Sequence, residues 1–314
     1  MRLSLTVPLA RLACSLAFLI QPALAAGGRG AALPANPALP TVWLIGDSTV
    51  RNGQDDGQGK GEAGQWGWGH TLADFFDPAK ANLVNRAAGG TSSRSFYAGN
   101  WPGVLALVKP GDFVIMQFGH NDNNGVFTGA GGYRASLNGT GDETQTAPNR
   151  SGASETVHTF GWYLKQYVAQ TRAKGATPII CSLIPRKIWQ PDGRIMRHND
   201  NYFDYAGYAA EVAKTEKTGF IDLNEIIARR YDELGHDAVV ELFPKVTPDE
   251  HTHTNLAVAI LNARAVVAGL KAIKDNPVVA FLSAKSTDIA PADLSQPAPA
   301  VKISPAPAGT PAAK

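Results

Sequence analysis

The sequence predicts an α/β fold, a doubly wound parallel sheet with helices on both faces. Two observations carry this. Five short apolar runs each end at a turn or a polar cluster: TVWLIGD (41 to 47), NLVNRA (82 to 87), DFVIMQFG (112 to 119), TPIICSLIP (177 to 185) and GFIDLN (219 to 224). Such runs suit strands buried on both faces of a parallel sheet. Segments of helical spacing separate them, and strand–helix alternation builds a sheet through crossover connections.

Taken in order, residues 1 to 25 read as a secretory signal peptide: Arg2 and Arg11, the apolar run LACSLAFLI, then Ala23-Leu24-Ala25 as the cleavage site. That run is too short to span a bilayer. Cys14 precedes most of it, which argues against a lipoprotein. Residues 26 to 39 form a flexible leader, 40 to 282 the catalytic domain, and the Ala/Pro-rich 283 to 314 a disordered tail. Inside the domain the first two strands precede a helical segment, WPGVLALV (101 to 108), and the third strand follows it. The Gly/Asn/Thr-rich stretch 123 to 154 is expected to loop over a site. TFGWYLKQYVAQTRAKG (159 to 175) places Trp162, Tyr163, Tyr167 and Val168 at helical spacing and stops at Gly175. After the fourth strand, a second helix (202 to 219) stops at Gly219, and both glycines are expected to follow helix ends. The fifth strand follows, and LAVAILNARAVVAGLKAIK (256 to 274) closes the domain.

Of the residues, 44% are hydrophobic and 18% charged, an ordinary globular balance. Loss of the signal peptide leaves 27 basic against 27 acidic residues. A neutral balance supplies no electrostatic attraction to nucleic acid or to an acidic membrane. Only Cys181 would remain, which excludes an intramolecular disulfide, and its apolar surroundings read as a buried core thiol.

Ligands of doubly wound sheets collect beyond the carboxyl ends of the strands. Three strands end there in GDST, NRAAGG and GHND. Ser48 follows a buried strand at a sharp turn: it is either a nucleophile or a helix cap. Gly89 and Gly90 let backbone N–H groups approach an anion, or simply make a tight turn. Asn121 offers an uncharged amide donor, or an Asx turn. A fourth block, PDEHTHTN (248 to 255), holds Asp249, Glu250, His251 and His253. A serine nucleophile needs a histidine base, and that base needs a carboxylate to hold its tautomer. Glu250 and His253 have a workable spacing; Asp249 with His251 is the alternative. A metallohydrolase using Asp249, His251 and His253 as ligands is the competing reading.

Together the four blocks resemble the SGNH (GDSL-type) hydrolase superfamily, and within it the rhamnogalacturonan acetylesterases of carbohydrate esterase family 12. The resemblance runs from about Thr41 to Lys274 and includes LIGDSTV, GQWGWGHTL, NRAAGGTSSRSF, VIMQFGHND, ETVHTFGWYLKQYV, PIICSLIPR, FIDLN and HTHTN. It implies a flavodoxin-like three-layer α/β/α fold without metal or organic cofactor. It also implies Ser48 as nucleophile and His253 as base, with an oxyanion hole from the N–H groups of Ser48 and Gly90 and the amide of Asn121. Where the family carries Asp three residues before the histidine, this chain has Glu250, with Asp249 as the lesser candidate. His251 is left as a substrate-side or structural histidine. Trp66 and Trp68 are candidates for a sugar-facing rim or for core packing. The implied substrate is an acetylated polysaccharide or oligosaccharide, rhamnogalacturonan or another glycan such as xylan.

Overall fold

The central strand is β1 (Thr41–Gly46), and every one of its residues is buried. Its apolar side chains divide between two cores. Val42 and Leu44 join Phe113, Ile115, Ile179 and Ile221 on one face; Trp43 and Ile45 join Val114, Met116 and Ile180 on the other. Side chains alternate across a strand, so a run apolar at every position must be covered on both sides. The computed structural model in which this is seen describes residues 33–51, 61–123, 125–198, 204–244 and 250–302. The expected signal peptide and Asp249 lie outside the described residues.

The sheet contains β1, β2 (Asn82–Asn85), β3 (Phe113–Gln117), β6 (Thr177–Cys181) and β7 (Gly219–Ile221). All its pairings are parallel, in the order β2-β1-β3-β6-β7. That is the flavodoxin-like arrangement, in which the crossovers diverge from the first strand to opposite faces. Asp112 pins its lower edge, accepting from the Thr41 N–H at 2.8 Å and from the Trp43 indole at 2.9 Å. The Trp43 face is covered by α2 (Ser93–Gly99), α3 (Trp101–Leu105), α5 (Phe160–Ala173) and α6 (Tyr205–Thr215). The Val42 face is covered by α1 (Trp68–Thr71), α7 (Leu223–Leu234), α8 (His236–Glu241) and α9 (Leu256–Ala272). Cys181 is a free, buried thiol, and burial pushes its pKa up. Among the described residues no helix is long and apolar enough to cross a membrane.

Four expectations need correction. Gly175 does follow α5 with φ +72°, but α6 ends four residues before Gly219, and Lys217 takes the left-handed conformation with φ +51°. Gly219 instead opens β7. The stretch 123 to 154 is not structureless. It contains α4 (Gly129–Gly132) and β4 (Thr144–Pro148), which pairs antiparallel with β5 (Ser154–His158). Asn149 closes that hairpin, its Oδ1 accepting from Ser151 and Ala153. The tail does not leave the domain at 283. Ser286 and Ile289 are buried, and Lys271 donates to the carbonyls of both. Further on, Ala292 donates to the Ala268 carbonyl and Lys302 to that of Asp232. These contacts are made by individual residues spaced along the stretch, so its Ala/Pro-rich composition does not reveal them. The leader is likewise held at Asn36, which exchanges hydrogen bonds with Asn82.

Candidate active site

Because β2, β1 and β3 are neighbours, the polar blocks beyond their carboxyl ends converge. The first is a turn at residues 47 to 50, closed by the Val50 and Arg51 N–H groups on the Asp47 carbonyl. Asp47 Oδ1 accepts from the N–H and hydroxyl of Thr49 at 2.8 and 2.7 Å. A buried chain continues below it: Gln117 donates to the Thr49 hydroxyl at 2.6 Å, and the Trp68 indole donates to Gln117 at 2.8 Å. Burial pushes the Asp47 carboxyl up, against the bonds from Thr49 and the nearby His253 and Arg186 charges. Asp47 therefore does the local capping, and the Ser48 side chain is left for other work. Its Oγ lies 2.9 Å from His253 Nε2.

His253 reaches the turn from the loop before α9. Trp66 and Thr254 form an antiparallel bridge, with the Trp66 N–H on the Thr254 carbonyl at 2.7 Å and the Thr254 hydroxyl on the Trp66 carbonyl at 3.0 Å. Asn255 then caps α9 through the Val258 N–H. Glu250 completes the line. Its Oε2 is 3.0 Å from His253 Nδ1, while its Oε1 accepts the N–H groups of Thr252 and His253, each at 2.9 Å. Burial alone would raise the Glu250 carboxyl, but the bonds from His253 and Thr252 prevail and hold it at about 2. It is thus ionised at every working pH and accepts the proton on Nδ1, which leaves Nε2 as an acceptor for the Ser48 hydroxyl.

Gln65 was not singled out from the sequence. Its Nε2 donates to Glu250 Oε2 at 3.0 Å and lies 3.2 Å from His253 Nδ1. Two donors cannot bond to each other, so the carboxylate takes both and Gln65 steers it. Nothing in the spacing of GQWGWGH points to this role. Of the two tryptophans there, Trp68 is fully buried and structural. Trp66 is half-buried, donating to the Gly61 carbonyl and packing edge-on to His70.

On the other side of Ser48, Gly90 has φ +76°, a conformation that favours glycine. The next residue, Thr91, is tied back through its hydroxyl to the Ala88 carbonyl at 2.9 Å and to Gly46, the last residue of β1, at 3.3 Å. Asn121 donates one amide hydrogen to the Thr91 carbonyl at 2.9 Å, and its second hydrogen remains for a ligand. Asp122 fixes the base of the block by accepting from Ser93 and Ser136. Burial raises Asp122 to about 6 despite those bonds. Ser48, Gly90 and Asn121 are thus brought to one edge, and the neighbouring Gly89 lies beside Arg51.

Arg186, at the carboxyl end of β6, is a second residue outside the sequence reading. It donates to the His120 carbonyl at 3.0 Å and sits 3.3 Å from His251 Nε2. Burial and this cation keep His120 neutral. Of the alternative metal ligands, both His253 nitrogens are engaged and His251 faces a guanidinium, while Asp249 lies outside the described residues. Among the described residues no group of three or more His, Cys, Asp or Glu could hold a cation.

A serine, an imidazole and a carboxylate in line, beside a backbone turn and a neutral amide, form an arrangement able to run acyl transfer. A family model described as GDSL-like lipase/acylhydrolase matches residues 44–257. A rhamnogalacturonan acetylesterase of Emericella nidulans is 31% identical over 241 residues, covering 75% of this chain and 88% of that protein. A Bacillus subtilis protein named "Probable rhamnogalacturonan acetylesterase YesY" is 30% identical over 232 residues, covering 73% of this chain and 92% of its own. Among solved structures, protein YxiM of Bacillus subtilis superposes with a TM-score of 0.57 at 24% identity, covering 74% of this chain and 56% of that one, a likeness of fold. The chain belongs to the GDSL-like lipase/acylhydrolase family, in the branch of the rhamnogalacturonan acetylesterases, and is a carboxylic ester hydrolase.

Proposed function

We propose that this acetylesterase is exported and removes O-acetyl groups from a plant cell-wall polysaccharide, rhamnogalacturonan, through an acetyl-enzyme on Ser48. The observation that carries the reading is the Ser48–His253–Glu250 line, with contacts of 2.9 and 3.0 Å. Ser48 Oγ attacks the acetyl carbonyl as its proton passes to His253 Nε2. Glu250 stabilises the imidazolium, and the oxyanion is met by the N–H groups of Ser48 and Gly90 and the Asn121 amide. Collapse breaks the bond to the sugar oxygen, which leaves with the proton from His253. Water then adds to the acetyl-serine, again through His253, and acetate is released with Ser48 restored. The named substrates of the relatives support the choice of polysaccharide, and the signal-like N-terminus supports export.

Acetate release from acetylated rhamnogalacturonan, acetylated xylan and simple acyl esters tests this reading. The expected order places rhamnogalacturonan first and long acyl chains last. A preference for long acyl chains overturns the carbohydrate assignment, and a preference for xylan moves it to another glycan. Asn121→Ala is expected to lower kcat by about 10²-fold with KM little changed, the usual loss for one oxyanion donor. An unchanged kcat would remove Asn121 from that role.

A further inference from the structure

Acyl transfer at this edge needs two segments held at a fixed distance: the loop carrying Glu250 and His253, and the block after β3 carrying Asn121. Arg186 joins them. Strands β3 and β6 are neighbours, with Gln117 paired to Cys181 at their carboxyl ends, so the residues beyond them lie side by side. Arg186 Nη2 donates to the His120 carbonyl at 3.0 Å, on the peptide that leads into Asn121. Its Nη1 lies 3.3 Å from His251 Nε2, two residues before His253. A guanidinium has donors only, so that ring nitrogen is the acceptor. The backbone beneath is fixed as well. The Lys187 N–H donates to the His251 carbonyl at 2.7 Å, and the Arg186 carbonyl accepts from the Ile188 N–H at 2.8 Å. Burial pushes the Arg186 pKa down, against the favourable charges of Asp47 and Glu250. A guanidinium starts so high that it stays ionised.

The two acceptors belong to different segments, one a backbone oxygen and the other a ring nitrogen. A planar fork meets both at once, whereas an ammonium is a point charge on a flexible stem. Misplacing a reacting group by about 1 Å costs on the order of 10²-fold in rate. We propose that Arg186 is a positioning residue, a clamp that holds the Asn121 donor of the oxyanion hole at its working distance from the His253 loop. It acts through His120 and His251, not by contact with the substrate. The clamp presupposes the Ser48 acyl-transfer reading and adds to it a residue from a fourth strand end.

The test uses p-nitrophenyl acetate, whose leaving group offers no sugar to contact. In Arg186→Met, kcat per folded molecule is expected to fall about 30-fold, with KM within about threefold of the parent. Arg186→Lys, which can still reach one acceptor, should recover part of that loss. In an Asn121→Ala background the Arg186→Met change should cost less than about fivefold, because the donor that it places is already gone. Turnover of p-nitrophenyl acetate within threefold of the parent, with loss confined to glycan substrates, would make Arg186 a sugar contact and overturn the clamp. A full 30-fold loss in the Asn121→Ala background overturns it too. Should Arg186→Met fail to fold, His251→Ala removes one end of the clamp and leaves the guanidinium in place. A loss of about fivefold or more in kcat is expected there, and an unchanged kcat counts against the clamp. The two ideas fail separately. Hydrolysis retained in Ser48→Ala sinks the serine reading, whereas an inactive Ser48→Ala beside an unimpaired Arg186→Met sinks the clamp alone.

Discussion

Replacing Ser48 by alanine is expected to lower turnover of p-nitrophenyl acetate by about 10⁴-fold or more, because loss of a serine nucleophile leaves only binding and oxyanion stabilisation. The turn that carries Ser48 is held by Asp47, Thr49, Gln117 and Trp68, none of which bonds the serine side chain. The variant should therefore fold normally, with Tm within a degree or two of the parent and the active-site edge intact. Glycan binding should persist while acetate release is lost. Loss of both would mean that the substitution disturbed the turn. Retained hydrolysis would remove the serine mechanism altogether.

Glu250→Gln is expected to cost about 10³- to 10⁴-fold in kcat, as the corresponding amide does in other triads. The carboxylate now accepts from His253 Nδ1, from Gln65 and from two backbone N–H groups. An amide nitrogen in place of Oε2 sets donor against donor. Imidazole would respond by moving its proton to Nε2, where it can no longer accept from Ser48. Asp249→Asn, by contrast, should change activity by less than about threefold. The reverse order would show that the acid sits one residue earlier. The pH dependence follows from the same geometry. The folded Glu250 carboxyl titrates at about 2, below its ordinary 4.5, so its ionised form adds stability above pH 4.5 that is lost as pH falls toward 2. Thermal unfolding of Glu250→Gln between pH 2 and 6 should lack that component.

The five strands were legible because each is an apolar run bounded by a turn, and all five lie within the expected ranges. The helices with long stripes, α5 and α9, were legible for the same reason. Helix α7 was not read, since its Asp222 cap and the periodic Leu223, Ile227 and Tyr231 directly follow a strand signal. The hairpin β4–β5 escaped because β4 is exposed and polar and β5 contributes a single buried apolar residue, Val157, the rest being held by the Asn149 turn and the Thr146–Thr156 hydroxyl pair. At the site, motif blocks locate Ser48, Gly90, Asn121 and the Glu250–His253 pair. What they omit is support from distant segments. Gln65 bonds a carboxylate 185 positions away, and Arg186 faces a histidine 65 positions away. Such contacts have no local pattern. The loop geometry also departs from simple strand periodicity. An extended chain would put His251 and His253 on one side, but Glu250 Oε1 draws in two successive N–H groups and the rings diverge, one to Arg186 and one to Ser48.

The central claim is that a single serine forms the covalent intermediate and that His253 activates it. The direct measurement is peptide mass spectrometry after reaction with an organophosphonate ester. The account predicts one adduct, on the peptide containing Ser48, whose formation parallels loss of acetate release and becomes far slower in His253→Ala. Full inhibition without an adduct on Ser48, or labelling at the same rate in His253→Ala, would contradict it.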